Sequence, residues 1–393
     1  MMIRDDDIDE ITLSHLRNLR EVPSPIANPP QTGYDPTYQT NTPRTPMPQP
    51  SKHTLTILLL TAALLIACLP ASLTPTPEPI SDTTPDAAIE VIFTDRNAAA
   101  ENALINAINN AQYSIDLAIY NLSNENIGDA LLAASRRGVT VRMVMENKNV
   151  DGVVPLGLAA AGIPIQEDDR DALMHNKFIV IDRLDVWTGS ANFTYNGLSS
   201  DNNNLVHIRS SRLAENYTTE FEEMFTDELF GSSSPANTPN PQLSVDGVLL
   251  ESYFSPDDGV LDHLVALVNG AETSITIMAF SFTSDELAEA VLDKARQGVI
   301  VQIVMDEQQA VSNQGGEYEN LLQAGLDVRL DGNRGQMHHK VIVIDGDTVS
   351  FGSYNFSNSA ERRNDENVII AHDPELAGAF MTEFDRIYAE AQP

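Results

Sequence analysis

The feature that most constrains this chain is a set of polar residues that occurs twice at identical spacing. In the first copy His175 is followed by Lys177, and in the second copy His338 is followed by Lys340. The residues that complete the two copies are Asp182, Gly189, Ser190 and Asn192, and Asp345, Gly352, Ser353 and Asn355. Because the chain of 393 residues has only eight His and five Lys, two registered copies by chance are very improbable. The repeat predicts two homologous halves that contribute to one pseudo-symmetric site.

Other stretches repeat as well and extend the duplication over most of the chain. Residues 111–120 (AQYSIDLAIY) match residues 271–280 (AETSITIMAF), and residues 138–146 match residues 298–306. In each half, short runs rich in β-branched residues alternate with segments of helical periodicity, which predicts a layered α/β fold. We therefore expect two homologous α/β halves, each a mixed sheet flanked by helices. They should face each other across a pseudo-twofold axis, with the active site at their interface.

The repeated motif, H-x-K-x4-D-x6-G-S-x-N, resembles the signature of the phospholipase D superfamily. The resemblance covers roughly residues 88–393. It implies an enzyme that hydrolyses phosphoric diesters, or transfers a phosphatidyl group, without a metal or any other cofactor. The family also includes nucleases, so the motif fixes the chemistry better than the substrate.

The residue types in the motif fit this chemistry. Cleavage of a phosphodiester needs a nucleophile, an acid for the leaving group and positive charge on the phosphoryl oxygens. Histidine supplies the first two near neutral pH, so one histidine is expected to form a phosphohistidine while the other protonates the leaving alcohol. The residues expected to contact the phosphoryl oxygens are Lys177, Lys340, Asn192 and Asn355, with Ser190 and Ser353 either binding phosphate or holding the loop.

Other motif residues are expected to be structural. Asp182 and Asp345 end their strands at an odd offset from the histidine, so strand alternation places them on the opposite face, where they would buttress loops. Gly189 and Gly352 are expected to let the backbone turn close to the phosphate. His339 should point away from the site, into packing or towards the surface.

The two halves differ after the second part of the motif. Aligning Asn367 with Asn204 sets Glu366 in the second half against Asn203 in the first. In the family that the motif resembles, a carboxylate here orients the histidine of the opposite half. The resemblance therefore implies that Glu366 supports His175, and it favours His175 as the nucleophile and His338 as the acid and base.

Three substrate hypotheses follow. The chain carries 57 Asp and Glu against 23 Lys and Arg, a net charge of -34, and it has no basic stripe with interleaved aromatic residues. This composition favours a phospholipid over DNA or RNA, although nucleic acid stays open as an alternative. Phosphatidyl transfer of the cardiolipin-synthase type is a further alternative, and complete motifs argue against a non-catalytic protein. The acidic run at 167–171 is interpreted as an exposed loop.

The N-terminal region predicts export. Residues 55–69 form an apolar run too short for a comfortable membrane span, and Leu65-Ile66-Ala67-Cys68 resembles a bacterial lipobox. Cys68 would then be lipidated and would hold a monomer with two internal repeats outside the cytoplasmic membrane or in the cell envelope. An uncleaved anchor is the alternative, and Met1 or Met47 is the start.

The composition shifts give the segment boundaries. The predicted segments are a Pro/Thr-rich extension at 1–46, a lipoprotein signal peptide at 47–68, a Pro/Thr-rich tether at 69–87, the first half at 88–231, a linker at 232–242 and the second half at 243–393.

Overall fold

The computed structural model describes residues 79–94 and 97–392. The predicted extension, the signal peptide and Cys68 lie outside the described residues. Within the described part of the chain, no helix combines the length and the apolar character needed to cross a membrane.

The first half contains a seven-stranded sheet. Its strands are β2 (Ala88–Phe93), β3 (Ser114–Ile119), β4 (Thr140–Glu146), β5 (Ile165–Asp168), β6 (Lys177–Ile181), β7 (Asp185–Gly189) and β8 (Asn204–Arg209). Its helices are α1 (Ala99–Asn110), α2 (Glu125–Arg136), α3 (Asn147–Val150), α4 (Val153–Ala160), α5 (Tyr195–Ser199) and α6 (Ser211–Phe225). A 3-10 turn at Gly231–Ser233 follows.

The second half repeats these elements in a nine-stranded sheet. Its strands are β9 (Gln242–Val245), β10 (Val248–Ser255), β11 (Ser274–Ala279), β12 (Ile300–Met305), β13 (Asp327–Leu330), β14 (Lys340–Ile344), β15 (Thr348–Gly352) and β16 (Glu366–His372), joined by β1 (Ile80–Ser81) from the start of the described chain. Its helices are α7 (Val260–Gly270), α8 (Asp285–Arg296), α9 (Glu307–Ser312), α10 (Tyr318–Gln323), α11 (Asn358–Arg362) and α12 (Pro374–Glu390).

The strand order is the same in both halves. It is β2-β8-β7-β6-β3-β4-β5 in the first and β10-β16-β15-β14-β11-β12-β13 in the second, where β9 and β1 extend the edge beyond β10. Strands β3 and β11 each pair in parallel with β4 or β12 and antiparallel with β6 or β14. The predicted fold class, two homologous α/β halves with mixed sheets, is confirmed.

Local sequence signals explain the matching helices. The Asn124 side chain caps α2 by accepting from the Ile127 N–H, and Ser284 caps α8 by accepting from Leu287. Both helices end two residues before a glycine with positive φ, Gly138 or Gly298. These stops turn the chain into β4 and β12, the strands that border the site.

The main apolar contact between the halves is made by the long terminal helices. Helix α6 packs against β3, β4, β6 and β7 of its own sheet and against β10 of the other sheet. Helix α12 packs against β11, β12, β14 and β15 and against β2. A single buried cluster joins Phe178 and Phe221 of the first half to Phe351 and Phe380 of the second. Burial of this aromatic surface holds the two sheets face to face.

The part of the predicted tether that the structure describes packs against the two halves. Ile80 and Ser81 pair in parallel with Leu243 and Ser244 of β9. The Asp82 carboxylate then accepts hydrogen bonds at the start of α6, from the Ser210 hydroxyl and from the Arg212 N–H. The segment therefore contacts both halves, because its backbone completes a sheet edge and its carboxylate meets the positive end of a helix.

The acidic run at 167–171 is only partly exposed, so its interpretation as an exposed loop was wrong at Asp168. This side chain is buried and pairs with Arg170 at 2.8 Å, and Arg170 also binds Asp365 of the second half. Burial raises the pKa of Asp365 to about 7, although the Arg170 charge opposes the shift. Arg170 therefore supplies the positive charge that lets two carboxylates lie buried at the interface.

Arg170→Met should lower the free energy of unfolding by about 3 kcal/mol, because it leaves buried carboxylates without a counter-charge. This value is at the low end for breaking a buried pair, since the Arg170 side chain is 28% exposed. Urea unfolding at pH 7 measures the change. Arg296→Met, which breaks exposed pairs with Glu289 and Asp293, should leave the midpoint unchanged. Equal midpoints for the two variants would contradict the role of Arg170.

Candidate active site

The two motif segments meet because each pairs with the other half of the chain. The His175 N–H donates to the Asp365 carbonyl at 2.9 Å, and the His338 N–H donates to the Asn202 carbonyl at 2.9 Å. Isolated parallel bridges at Met174–Asp365 and Asn202–Met337 flank these bonds. The backbone of each histidine is therefore fixed by the backbone of the opposite half, independently of the contacts that its side chain makes.

Each histidine ring is also held across the interface. The Glu366 Oε2 atom lies 2.8 Å from His175 Nδ1, and the Asn203 Oδ1 atom lies 2.9 Å from His338 Nδ1. The Ser190 carbonyl lies 3.1 Å from the same His338 nitrogen. These acceptors place a proton on Nδ1 of each ring and leave Nε2 for chemistry. The geometry matches the predicted asymmetry: a carboxylate supports His175, and a neutral amide supports His338.

The two supporting side chains are themselves fixed. Glu366 is fully buried and accepts from the Asn364 amide at 3.1 Å and from the Asn355 N–H at 3.3 Å. The Asn203 Oδ1 accepts from the Ser190 hydroxyl at 2.8 Å, and its amide donates to the Gly197 carbonyl at 3.1 Å. These bonds define which atom faces each histidine.

Both lysines begin their motif strands and are buried beside the histidines. Lys177 Nζ donates to the His175 carbonyl at 2.7 Å, and Lys340 Nζ donates to the His338 carbonyl at 2.8 Å. Burial lowers the pKa of Lys177 to about 7, with the Glu366 charge opposing the shift, and it places the pKa of Lys340 well below its ordinary value. The empty site therefore holds less positive charge at neutral pH than its residue types suggest.

The same burial acts on the histidines. It lowers the pKa of His175 to about 4, against the attraction of Glu366, and the charge of Lys177 lowers it further. The pKa of His338 lies well below its ordinary value for the same reason, and the charges of Lys340 and Lys177 add to the effect. Both rings are thus neutral in the empty site. An anion that enters the site offsets the lysine charges and raises the pKa of all four groups.

The motif serines hold the loop. The Ser190 hydroxyl accepts from the Asn204 N–H at 3.1 Å, and the Ser353 hydroxyl accepts from the Asn367 N–H at 3.0 Å. Of the two predicted roles, phosphate binding or loop holding, this geometry fits the second. The Asn192 and Asn355 side chains follow these loops, and their buried Oδ1 atoms have no partner among the described residues. Because an amide can rotate by 180°, each can present an N–H to an entering phosphate.

The motif glycines are required by a contact with a neighbouring strand. A Cβ at Gly189 would lie 2.4 Å from the Asn204 carbonyl oxygen, and one at Gly352 would lie 2.2 Å from the Asn367 carbonyl oxygen. Their φ values of 144° and 154° also disfavour a side chain. The glycines therefore allow a close approach between neighbouring strands that carry the site.

The motif aspartates lie at the other end of their strands. Asp182 accepts from the backbone N–H groups of residues 112, 113 and 114 at 2.7–2.9 Å, and Asp345 accepts from those of residues 272, 273 and 274 at 2.7–2.8 Å. Each fixes the start of a central strand, β3 or β11. This is a structural role of the kind the alternation argument predicts.

His339 points away from the site, as expected, and its ring makes polar contacts in addition to packing. The ring is fully buried, with Nδ1 2.9 Å from the Asn204 amide nitrogen and Nε2 3.4 Å from Glu383. Its counterpart Asn176 accepts from the Asn367 amide at 2.8 Å. A second layer of polar contacts between the halves thus lies directly behind the motif residues.

The sequence analysis missed two aromatic residues that border the site, and two acids that end the repeated strands lie beside the motif histidines. The Tyr120 ring lies 5.0 Å from the His175 ring, and the Phe280 ring lies 4.5 Å from the His338 ring. Glu146 and Asp306 accept from the N–H groups before the histidines, Met174 and Met337, at 3.0 and 3.1 Å. The sequence did contain a signal for the two aromatic residues. Residues 120 and 280 are both aromatic, and they end the repeated stretches 111–120 and 271–280.

No group of three or more His, Cys, Asp or Glu residues is arranged to hold a metal ion in the part of the chain that the structure describes.

Comparison with known proteins identifies the family. The sequence model of the family described as "Cardiolipin synthase, PLD-like domain" matches residues 104–225 and 264–388, one match in each half. Together the matches cover more than half of the chain. The chain therefore belongs to this family of the phospholipase D superfamily.

Individual relatives resemble one part of the chain. A mitochondrial cardiolipin hydrolase of Chlamydomonas reinhardtii is 34% identical over 181 residues, which are 40% of this chain and 81% of that protein. A phospholipase D of Rickettsia prowazekii (strain Madrid E) is 36% identical over 132 residues, 34% of this chain and 64% of that protein. The solved phosphatidylserine synthase of Haemophilus influenzae Rd KW20 has a TM-score of 0.60 at 13% identity, covering 77% of this chain and 87% of that one. This last likeness concerns the fold alone.

The lowered pKa of Lys177 makes anion binding depend on pH. Above about pH 7 the lysine must take up a proton before it can hold an anion, so the Kd for sulfate should rise about tenfold or more for each further pH unit. Calorimetric titration with sulfate at pH 6.5, 7.5 and 8.5 measures this rise. Sulfate keeps its charge over that range, so the change reports the protein. A Kd that stays constant to pH 8.5 would show that both lysines keep their protons in the empty site.

Proposed function

We propose that this chain is a phospholipase D-type phosphodiesterase that hydrolyses phospholipid phosphodiester bonds through a phosphohistidine, without a metal. The observation that carries the proposal is the asymmetric support of two otherwise matching histidines. Glu366 holds the Nδ1 proton of His175 at 2.8 Å, so the Nε2 lone pair faces the reaction and the positive charge that forms on the ring after attack is stabilised.

The first step forms a covalent intermediate. His175 Nε2 attacks phosphorus, and the bond between phosphorus and the head-group oxygen breaks. His338 gives its Nε2 proton to that oxygen, so the head group leaves as an alcohol and not as an alkoxide. Lys177 and Lys340 neutralise the non-bridging oxygens, whose charge grows in the transition state.

The second step reverses the roles of the groups. His338, now neutral, removes a proton from water, whose oxygen attacks phosphorus. The N–P bond breaks, phosphatidate is released, and His175 returns to its starting form. The neutral support from Asn203 suits a ring that must alternate between charged and neutral forms, because a carboxylate at this position would favour the charged form.

The substrate anion prepares the site for the first step. Burial keeps both histidines neutral in the empty site, but leaving-group departure needs a protonated His338. The phosphodiester brings one negative charge into this buried space, which favours protonated lysines and a protonated His338. Binding and proton uptake are therefore coupled.

The choice of phospholipid rests on the relatives and on the charge. The matching relatives are named cardiolipin hydrolase and phospholipase D, and cardiolipin is therefore the first lipid to test beside phosphatidylcholine and phosphatidylethanolamine. The net charge of -34 disfavours approach of a polyanion at long range. Nucleic-acid cleavage and phosphatidyl transfer remain the alternative activities of this chemistry.

The proposal extends to location and assembly. A lipid on Cys68, which lies outside the described residues, would hold the catalytic halves at the outer side of a bacterial cytoplasmic membrane or in the cell envelope. The support for this is the apolar run that ends in Leu65-Ile66-Ala67-Cys68. One chain supplies both motifs, so a monomer suffices for catalysis.

The two histidines should fail differently. With a p-nitrophenyl phosphodiester, whose leaving group needs no proton, His338→Ala should accumulate phosphate on His175, because attack proceeds but water activation is lost. His175→Ala should form neither phosphoenzyme nor product. On a phospholipid both variants should lose about 10³-fold or more in rate. Alkaline quenching and peptide mass spectrometry locate the phosphate. Phosphate on His338 of the unmodified enzyme, with none on His175, would reverse the assignment.

The substrate class is tested by alcohol capture. With EDTA present, ethanol should compete with water for the intermediate and divert cardiolipin or phosphatidylcholine into phosphatidylethanol, because the lipid stays bound to the enzyme after the head group leaves. Chromatography of the lipid products measures this. The His175→Ala variant is the control. Cleavage of plasmid or single-stranded DNA that requires His175, with no lipid product, would identify a nuclease instead.

A further inference from the structure

Helix α4 presents an apolar face that no element of the described part of the chain covers. Residues 153–162 read VVPLGLAAAG and contain no polar side chain. Only Pro155 and Leu158 are buried, whereas Val153 is 84% and Leu156 is 53% exposed. A helix that is apolar on all sides is normally buried, so this exposed face calls for a partner.

The helix is attached to the active site. Immediately before it, the Asn149 amide of α3 donates to the Tyr120 carbonyl at 2.7 Å. The Tyr120 ring lies 5.0 Å from the His175 ring and 5.2 Å from Lys177 Nζ. At the start of α3, Glu146 holds the N–H of Met174, the residue before His175. Helix α4, with its apolar face, therefore comes directly after the segment of the chain that borders the catalytic groups.

The second half provides an internal comparison. The motif offset between the halves sets the buried Leu158 against the buried Leu321 of α10. The same offset sets Val153 against Gly316 and Leu156 against Glu319. The second half thus carries an exposed glutamate at the position that matches Leu156, so the fold does not require an apolar residue there.

Exposed large apolar residues also occur on other helices of both halves. The described residues include eight of them: Ile80, Tyr113, Val153, Leu156, Tyr195, Ile300, Val311 and Leu322. Four lie on α4, α9 and α10, and Tyr195 begins α5 just after the motif residue Asn192. Val311 lies two residues before Asn313, whose amide donates to Ser281 beside Phe280. Val311 is therefore close in sequence to a residue that contacts the segment around Phe280.

The charge of this region differs from that of the chain. Residues 147–162 contain one base and one acid, Lys148 and Asp151, while the whole chain has a net charge of -34. A nucleic acid would find no group of cations here to bind its phosphates. An uncharged apolar face fits the boundary between the head groups and acyl chains of a lipid bilayer.

We propose that α4 inserts into the surface of a phospholipid bilayer and thereby sets the catalytic site against the lipid head groups. The inference rests on the proposed phospholipid substrate and adds how that substrate is reached. Eight residues span only about 12 Å, so α4 lies in the interface and does not cross the membrane. The consequence is a preference for lipid in a bilayer over the same head group on a dissolved lipid.

The test compares lipid in two physical states. The variant Val153→Gly/Leu156→Glu in the full chain installs the residues that the second half carries at the matching positions. Its rate on phosphatidylcholine vesicles should fall at least tenfold, while its rate on dihexanoylphosphatidylcholine below the micellar concentration stays within twofold. The control is Ile300→Glu, an exposed residue at the opposite end of the parallel strands, which should change neither rate. An equal loss on both substrates, an equal loss in the control, or no loss would overturn the proposal.

A second measurement does not depend on lipid hydrolysis. In a Cys68→Ser background, Leu156→Cys carrying an environment-sensitive fluorophore should shift to shorter wavelength when phosphatidylcholine vesicles are added, and Ile300→Cys should not. A shift without lipid cleavage would support the docking face and reject the proposed substrate. Cleavage of both lipid forms without a shift would reject the docking face alone. A fluorophore already shifted before lipid is added, or a dimer that Leu156→Glu dissociates, would identify another occupant and overturn the proposal.

Discussion

The structure depends on hydrogen bonds that cross between the halves at the catalytic histidines. The His175 N–H binds the Asp365 carbonyl while its ring binds Glu366, and His338 is held in the same two ways by Asn202 and Asn203. Neither half could orient its own histidine, because the supporting groups come from the other half. Two copies of one fold thus make a single site only when the aromatic core between the sheets is formed. Formation of the catalytic site therefore requires that the two halves pack together.

Burial determines the electrostatics of that site. The lysines and histidines are almost completely removed from water, so each pays a desolvation cost in its charged form. Glu366 partly offsets this cost for His175 and Lys177, and an entering phosphodiester completes the compensation. The site is therefore poised for an anion and carries little charge without one. At the same interface the buried charges are negative, and Arg170 stabilises them by pairing with both Asp168 and Asp365.

The halves share a scaffold but differ where function requires it. Glu366 in the second half and Asn203 in the first occupy matching positions. The two histidines therefore have the same geometry but different electrostatic surroundings. The exposed Leu156 of α4 matches the exposed Glu319 of α10, although both helices bury a leucine at another matching position. A duplicated fold allows such differences because each pair of matching positions can change separately. The two halves share their strand order, and they differ in the side chains that surround the two histidines and that cover these helices.

The sequence by itself determined the chemistry and the duplication. Motif spacing identified the two His–Lys pairs and indicated that Asp182 and Asp345 are structural, because short-range alternation and a repeat can be read from residue order. The pairing of Glu366 with His175 was implied by the resemblance to the phospholipase D superfamily. Only the tertiary structure showed that Gly189 and Gly352 make room for a neighbouring strand, that Tyr120 and Phe280 border the site, and that Arg170 joins the halves. Residues 80–82 likewise gave no periodic signal, since two residues of strand and a cap depend on partners more than 120 positions away. Contacts between distant segments are set by packing, and residue order does not record which segments will meet.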